Sequence, residues 1–542
     1  MLAVWLALAC PLSVLGITAA EMLNDPEVVE TAAKAGLQSA ALLEEKERRL
    51  HNLTARLSPP RFQPARPSPP QAQATARLAE MYEAATIKLL EVGGRKISKR
   101  SARHSRVLNG QLGAQLVLPA VRENVATKIR AEPVGQTAVA ALAALRCGVE
   151  DAACRECFPG AHYRSFSGCC NNLAKPDRGA ALSPLARLLP PEYKDGVARP
   201  RLDSVLGSPL PNPRIVSTIM EQPGLTGPDT QHSSMVMQWG QLVDHDITLI
   251  PQYRGLAGDV LDCRACNSSY NHPACFPILL PRSDKFFSAG RAVSDSHCLP
   301  FTRSLPGQQS LGPRHQLNAL SAYLDGSAVY GSDGCRAGRL RETGGARLLG
   351  TTNPGRGLHA RKELLPLEHR SHECRAADGR CFMAGDERAN EQPGLTAVHT
   401  LLLREHNRLV SGLMVTNPHW DEERLYQEAR RIVAATIQHI TFSEWLPRVL
   451  GPVTSRRYRL QLQQSGYYRG YSPDCSAAVT NEFATAAFRF GHSMVRANIS
   501  LVTEEDLTAG KTGLSVPLRA VFHSPALVRT GSAIDSLVSD NM

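Results

Sequence analysis

Met237-Gln238-Trp239-Gly240-Gln241-Leu242-Val243-Asp244-His245-Asp246 is the stretch from which the rest of the chain is read. Its mixture of apolar and polar residues fits a buried helix with one functional face. Gln241 and His245 are four residues apart, so their side chains stack on that face. Asp244 and Asp246 flank the histidine, each about 100° around the helix from it. An imidazole between two acids, among Met, Trp, Leu and Val, is costly to bury without partners. Two readings follow from the decapeptide: a satisfied core histidine beside two surface acids, or a metal site.

Composition bounds the surroundings. The chain has 542 residues, 43% hydrophobic and 20% charged. That fits a globular protein of two or more domains, or one large helical domain with an appendage. Its 14 cysteines point to an oxidising compartment. Leu2 to Leu15 is an apolar run and Thr18-Ala19-Ala20 offers small residues for cleavage, so residues 1–20 read as a signal peptide. No later stretch reaches the roughly 18 apolar residues of a membrane span. Secretion is the expected fate, and Asn52, Asn267 and Asn498 head glycosylation triplets. A net charge of +11 suits adherence to acidic extracellular matrix. It does not suit nucleic acid, because no recognition motif or aromatic platform accompanies the charge.

Residues 21–57 and 75–91 carry apolar positions at helical spacing, separated by a proline-rich stretch at 58–72. The run from Arg95 to Arg106 holds six Lys or Arg in twelve residues and reads as a convertase site or a solvated linker. Residues 21–106 are therefore expected to be a pro-segment or appended region, and 107–542 the main domain. Apolar periodic stretches recur at 395–410 and 425–450 while strand signals are few. The predicted class is mainly α, with few short strands.

Three later stretches join the decapeptide: Ser321-Ala322-Tyr323-Leu324-Asp325-Gly326-Ser327, Ala384-Gly385-Asp386-Glu387-Arg388-Ala389-Asn390-Glu391-Gln392, and Ala487-Phe488-Arg489-Phe490-Gly491-His492-Ser493. In this order and spacing the four resemble the animal haem peroxidases, on the peroxidasin and chorion-peroxidase side of that family. Four separated motifs agreeing in order are far more specific than any one of them.

The resemblance implies a secreted enzyme that reduces hydrogen peroxide and oxidises phenolic, tyrosyl or halide donors through a ferryl haem. It assigns His492 as the axial ligand of haem b, the ligand type used by globins and peroxidases. Alone, a histidine in an apolar helix reads more readily as structural. His245 becomes the distal base that moves a proton between the peroxide oxygens. Gln241 would hold a water or halide, and Arg388 would stabilise charge on the departing oxygen. Asp244 and Glu391 match the carboxylates that become ester-linked to haem, their plain reading being surface acids. Gln392 stands where myeloperoxidase has a methionine, so no sulfonium link is expected. Asp246, Ser321, Tyr323, Asp325 and Ser327 match a calcium loop whose oxygen donors suit a hard cation. The plain alternative is a Ser/Asp turn.

By the same resemblance Cys157 pairs with Cys170, Cys263 with Cys275 and Cys266 with Cys298. Spacing alone leaves three connectivities for the second cluster, with a zinc site as its rival. Cys374 and Cys381 are close enough to bridge. Cys147, Cys154, Cys169, Cys335 and Cys475 are left unassigned.

Only 50 residues follow His492, by 542 − 492. The family implies further helices there and an asparagine bonded to the proximal imidazole. The domain is thus expected to be incomplete at its carboxy end. The alternative function is a truncated, inactive peroxidase-like binding or adhesion protein. A non-haem metal hydrolase using Asp244, His245 and Asp246 is a remote third.

Overall fold

The computed structural model describes residues 25–57, 70–98, 119–133, 136, 154, 157–221, 229, 231–255, 260–266, 271–284, 286–287, 298–352, 362–369, 374–501, 513–529 and 533–541. The predicted signal peptide, most of the basic 95–106 run and Cys147 lie outside them. The chain forms two compact units. One comprises Met1–Leu145, Arg187–Gln222 and Ile250–Leu317; the other comprises Arg146–Ala186, Pro223–Leu249 and Asn318–Met542.

The first unit is built on helices α1 (Pro26–Leu57), α2 (Pro70–Ser98) and α3 (Pro119–Ala131), with a short α4 (Pro213–Met220). Each of the four opens on a proline, whose fixed φ suits the first helical turn and whose missing N–H costs nothing there. Val28, Ala32 and Ala33 of α1 are buried with Met81, Tyr82 and Leu89 of α2 and Val125 and Ile129 of α3. Polar bonds stitch this core to residues 250–317. Glu83 accepts from both Nε and Nη2 of Arg314 at 2.7 Å, and from Gln308 Nε2 at 2.9 Å. The Glu47 carboxylate lies 3.1 Å from His272 Nε2. The helices of the expected pro-segment are thus packed on residues within the expected main domain.

The second unit carries α5 (Met235–Ile247), α6 (Ser327–Tyr330), α7 (Gly334–Leu340), α8 (Pro393–Thr416), α9 (Glu422–Ile440), α10 (Leu446–Arg457), α11 (Asn481–Thr485) and α12 (Ala533–Asn541). Among the described residues strands are two to four residues long and pair as two-stranded ribbons, such as Asn498–Leu501 with Leu514–Pro517. The class is mainly α, as the periodicity predicts. Helix α8 begins where Gln392 caps Gly394 N–H and Pro393 takes the first turn. Its Leu395, Val398 and Leu402 join Trp239, Leu242 and Val243 of α5 and Tyr426, Val433 and Ile437 of α9 in one core.

A π-helical turn, Thr441–Trp445, joins α9 to α10 and clamps α5. Trp239 Nε1 donates to Thr441 Oγ1 at 3.0 Å, and Trp445 Nε1 donates to the Val236 carbonyl at 2.8 Å. A Cβ on Gly240 would sit 3.0 Å from the Trp445 ring, so glycine lets the indole lie against the helix.

The disulfides Cys157–Cys170, Cys263–Cys275, Cys266–Cys298 and Cys374–Cys381 form as expected, which removes the zinc alternative. Cys154 pairs with Cys169, and Cys335 is disulfide-bonded as well. Cys475 is the free and exposed cysteine among the described residues.

Candidate functional site

Helix α5 ends inside the second unit, and its last turn is where the polar groups converge. Asp244, His245 and Asp246 are all buried, which overturns the reading of the two acids as surface residues. His245 is 3% exposed and its Nδ1 makes no hydrogen bond in the protein. That nitrogen lies 3.7 Å from Asp386 Oδ1, while Nε2 lies 3.5 Å from Glu391 Oε2 and 4.0 Å from Asp244 Oδ2. Burial, reinforced by the charge of Arg388, pushes the imidazole well below its ordinary pKa. The ring is therefore neutral at physiological pH. Asp386, facing Nδ1, favours the tautomer protonated there. The lone pair then sits on Nε2, on the side of Glu391 and Asp244.

Arg388 is held by Asp386 through two bonds and donates from Nη2 to the Thr248 carbonyl at 2.9 Å. Its Nη1 reaches Asp244 Oδ2 at 3.7 Å. Burial works against the guanidinium's charge, but the Asp386 and Asp244 carboxylates more than offset it and push its pKa up. Asp244 is the less settled acid. Its Oδ1 is buried without a hydrogen bond, and burial pushes its carboxyl upward against the charges of Arg388, Arg489 and His492. Contacts of 3.5–3.7 Å to two arginines are too long to bond it well.

Gln241 joins a carboxamide chain that the sequence reading missed. Gln392 Nε2 donates to Gln241 Oε1 at 3.1 Å and also to Gln238 Oε1, while its own Oε1 caps α8. Asp386 was also missed. Its position two residues before Arg388 was the signal, since a buried arginine needs a nearby acid. His399 is a second buried imidazole, beside the Ala328 backbone, and burial lowers its pKa to about 4.

His492 sits apart in character. It lies on an exposed 3₁₀ turn, Ala487–Met494, where its apolar surroundings suggest a buried helix. That turn touches α5, and Arg489 Nη1 reaches Asp244 Oδ2 at 3.5 Å. The segments bearing His492 and His245 are thus neighbours.

The loop after α5 is equally specific. Asp246 accepts the Gly326 and Ala328 N–H groups at 3.1 and 2.8 Å, and its carbonyl accepts the Ser327 hydroxyl at 2.6 Å. Asp325 accepts the Ser321 hydroxyl at 2.7 Å, and its own N–H donates to the Tyr323 carbonyl at 2.9 Å. Gly326, at φ +81°, supplies the left-handed turn that wraps the loop onto Asp246. The five residues expected to hold calcium therefore lie together. Their donors are two carboxylates with hydroxyl and carbonyl oxygens; among the described residues no three acidic, histidine or cysteine side chains form a metal cluster.

These donor sets fit the groups the resemblance implies. His245 is a buried neutral imidazole with Nε2 on the side of Glu391 and Asp244, and Asp244, whose Oδ1 is buried without a hydrogen bond, turns Oδ2 to Arg489 in the segment of His492. Oxygen donors alone surround the second centre.

The profile described as "Animal haem peroxidase" matches residues 163–541. The mouse (Mus musculus) protein "Peroxidasin homolog" is 39% identical over 398 residues, covering 69% of this chain and 26% of that protein. Human (Homo sapiens) "Myeloperoxidase" is 40% identical over 348 residues, covering 62% of this chain and 45% of the relative. The solved structure of peroxidase A from Dictyostelium discoideum superposes with a TM-score of 0.55 at 26% identity, covering 70% of this chain and 68% of that one. The chain spans about a quarter of the length of the peroxidasin homologues it matches. On the profile match and the geometry together, the chain belongs to the animal haem peroxidase family.

Proposed function

We propose that the protein is a secreted haem peroxidase that reduces hydrogen peroxide and oxidises phenolic, tyrosyl or halide donors. The observation that carries this reading is the buried His245, its Nδ1 toward Asp386 and its Nε2 on the side of Glu391 and Asp244, beside the fixed Arg388–Asp386 pair.

His492 would hold the iron, and Asp244 and Glu391 would hold the macrocycle, by ester links where these form. When bound, haem supplies the redox centre that takes the oxidising equivalents of peroxide and passes them to a donor. The chain's own part is proton and charge handling. Nε2 of His245 takes a proton from one peroxide oxygen and returns it to the other, which then leaves as water. The Arg388 guanidinium stabilises negative charge on that departing oxygen. Asp386 keeps both groups oriented. Gln241, fixed by Gln392, offers an amide to a water or halide.

Asp246, Ser321, Tyr323, Asp325 and Ser327 would hold calcium. Because Asp246 follows His245 directly, the cation would fix the end of α5. Disulfide usage supports an oxidising compartment, and no helix among the described residues is long and apolar enough to cross a membrane. The +11 charge supports adherence to acidic matrix. We read residues 21–106 as a pro-segment or appended region, whose helices α1 and α2 pack on residues of the same unit.

The test is the visible spectrum of the chain expressed with haem and calcium. A Soret band that shifts with peroxide and recovers with a phenol supports the reading. A folded chain without a Soret band refutes it for this chain and favours the inactive binding protein.

A further inference from the structure

We propose that a pocket on α9 binds a sulfated or carboxylated sugar unit of an acidic extracellular polysaccharide. The proposal deepens the reading of the protein as matrix-adherent and is independent of its peroxidase chemistry.

The pocket has a volume of about 360 Å³, within the usual range for small-ligand sites. Its walls come from α9 and from the segment following Cys157: Gln427, Arg430, Arg431 and Gln438 on one side, His162 and Arg164 on the other. The sequence explains the hollow. Positions 427, 430, 431, 434, 435 and 438 recur at helical spacing and share a face. Ala434 and Ala435 occupy its middle, so the long side chains surround a space that nothing fills.

The charge there is unbalanced. Arg430 is 6% exposed. Its Nη1 donates to the Arg164 carbonyl at 2.9 Å and to Gln427 Oε1 at 3.2 Å, and its Nη2 to the Ser165 carbonyl at 3.0 Å. It also stacks 4.1 Å over the Phe166 ring. All these partners are neutral, and among the described residues neither Arg430 nor Arg164 forms an ion pair with a carboxylate. Arg431 comes no closer than 3.9 Å to Glu428. The one acid on the wall, Asp325, is turned to the Ser321 hydroxyl and the Ser327 N–H. Glu428, beside the wall, accepts the Tyr163 hydroxyl at 3.0 Å and lies 3.6 Å from His162 Nε2, so three guanidinium groups stand against two carboxylates. Asp325 is the charge nearest Arg430 and Arg164 and hydrogen-bonds neither, so an anionic ligand would supply the direct partner they lack.

Guanidinium forks match the oxygens of sulfate and carboxylate. The two glutamine amides and the His162 ring can take sugar hydroxyls, and the space exceeds what an inorganic ion needs. A sugar ring carrying an anionic substituent fits both charge and volume.

The experiment is calorimetric titration of the whole chain with a fully sulfated heparin disaccharide, its desulfated counterpart and inorganic sulfate, beside retention on heparin-agarose. Variants are Ala435→Leu, which fills the space without touching charge, and Arg164→Ala with Arg431→Ala, both exposed positions. Unchanged melting curves verify folding. Binding of the sulfated disaccharide, absent for the desulfated one and weakened about tenfold or more by either variant, supports the proposal. Equal binding by Ala435→Leu overturns it, and if both proteins stay on heparin, general matrix adherence stands without this pocket. Inorganic sulfate binding as tightly as the disaccharide overturns the sugar assignment. No disaccharide binding overturns the proposal, and loss of heparin retention as well removes the adherence reading.

Discussion

Asp386 and Arg388 form a two-bond fork in the protein interior, Nε to Oδ1 at 2.9 Å and Nη2 to Oδ2 at 2.8 Å. The same Oδ1 lies 3.7 Å from Nδ1 of His245. One fully buried carboxylate thus orients both the cation and the base of the candidate site. Burial alone would raise its pKa; the charge and bonds of Arg388, with the nearby imidazole, overcome this and hold it far below the usual carboxylate range.

Replacing Asp386 with Asn leaves Arg388 with only the more distant Asp244 and Glu391 as counter-charges. Breaking a buried pair from one side costs about 3–5 kcal/mol, and urea denaturation should show a loss of that order. The pH dependence has a definite sign. A depressed carboxyl stabilises the fold above the unfolded value of about 3.9 and loses that contribution as pH falls below it. Wild type should therefore lose more stability than the variant between about pH 4 and 2. Parallel curves would show that the pair contributes nothing.

His245 should stay neutral well below pH 6.5, because burial first, and the charge of Arg388 second, lower its pKa. The ring should show neutral chemical shifts at about pH 6.5 and below, where exposed histidines protonate. The unfolded chain takes up this proton near 6.5, so the group favours folding above that pH and opposes it as pH falls. In the haem-loaded protein, His245→Ala should slow the reaction with peroxide by about 10²–10⁴-fold. A protonated ring at pH 6.5 in the folded protein contradicts this.

The site was legible in the sequence to the extent that it is written in contiguous motifs. His245, Arg388 and the loop from Ser321 to Ser327 each lie in a short run whose spacing survives folding. What was not legible depends on pairs far apart in the chain. The Gln392–Gln241 bond spans 151 residues, and nothing in either segment announces the other. The same holds for Glu83 and Arg314, 231 residues apart, so the helices at 26–98 read as an appendage. His492 shows the opposite failure: Ala, Phe and Gly around it suggest burial, yet the turn is exposed.

Asp246 and Asp325 should make the calcium-free protein lose stability as pH rises. Burial raises both carboxyl pKa values, and for Asp246 the neighbouring Asp325 charge adds to it. A raised carboxyl keeps its proton in the fold after the unfolded chain has lost its own near pH 4, so stability falls with rising pH until the folded group ionises. Calcium should reverse this by pairing with the ionised oxygens, adding about 2.7 kcal/mol at a hundredfold excess over Kd. The melting temperature with calcium should exceed that with chelator, more at pH 8 than at pH 5.5. Asp246→Asn should abolish the difference. Equal melting at both pH values, with and without calcium, would remove the loop from the list of cation sites.

Glu83 and Arg314 offer the sharpest test of how the amino-terminal helices are held. Both side chains are under 10% exposed and the pair is bidentate at 2.7 Å, with Gln308 Nε2 donating as well to the oxygen that takes Arg314 Nε. Glu83→Gln leaves a buried guanidinium without its counter-ion and should lower the stability of this unit by about 3–5 kcal/mol. Removing both charges, as in Glu83→Gln with Arg314→Met, should cost less than Glu83→Gln alone, because no unpaired charge remains buried. Urea midpoints of the four proteins in the cycle measure the coupling. Limited proteolysis gives a second readout: cleavage within residues 26–98 should accelerate in Glu83→Gln and return toward wild type in the double variant. A double variant as unstable as the sum of its singles would mean that the two side chains act separately and that apolar packing of Met81, Tyr82 and Leu89 holds the helices.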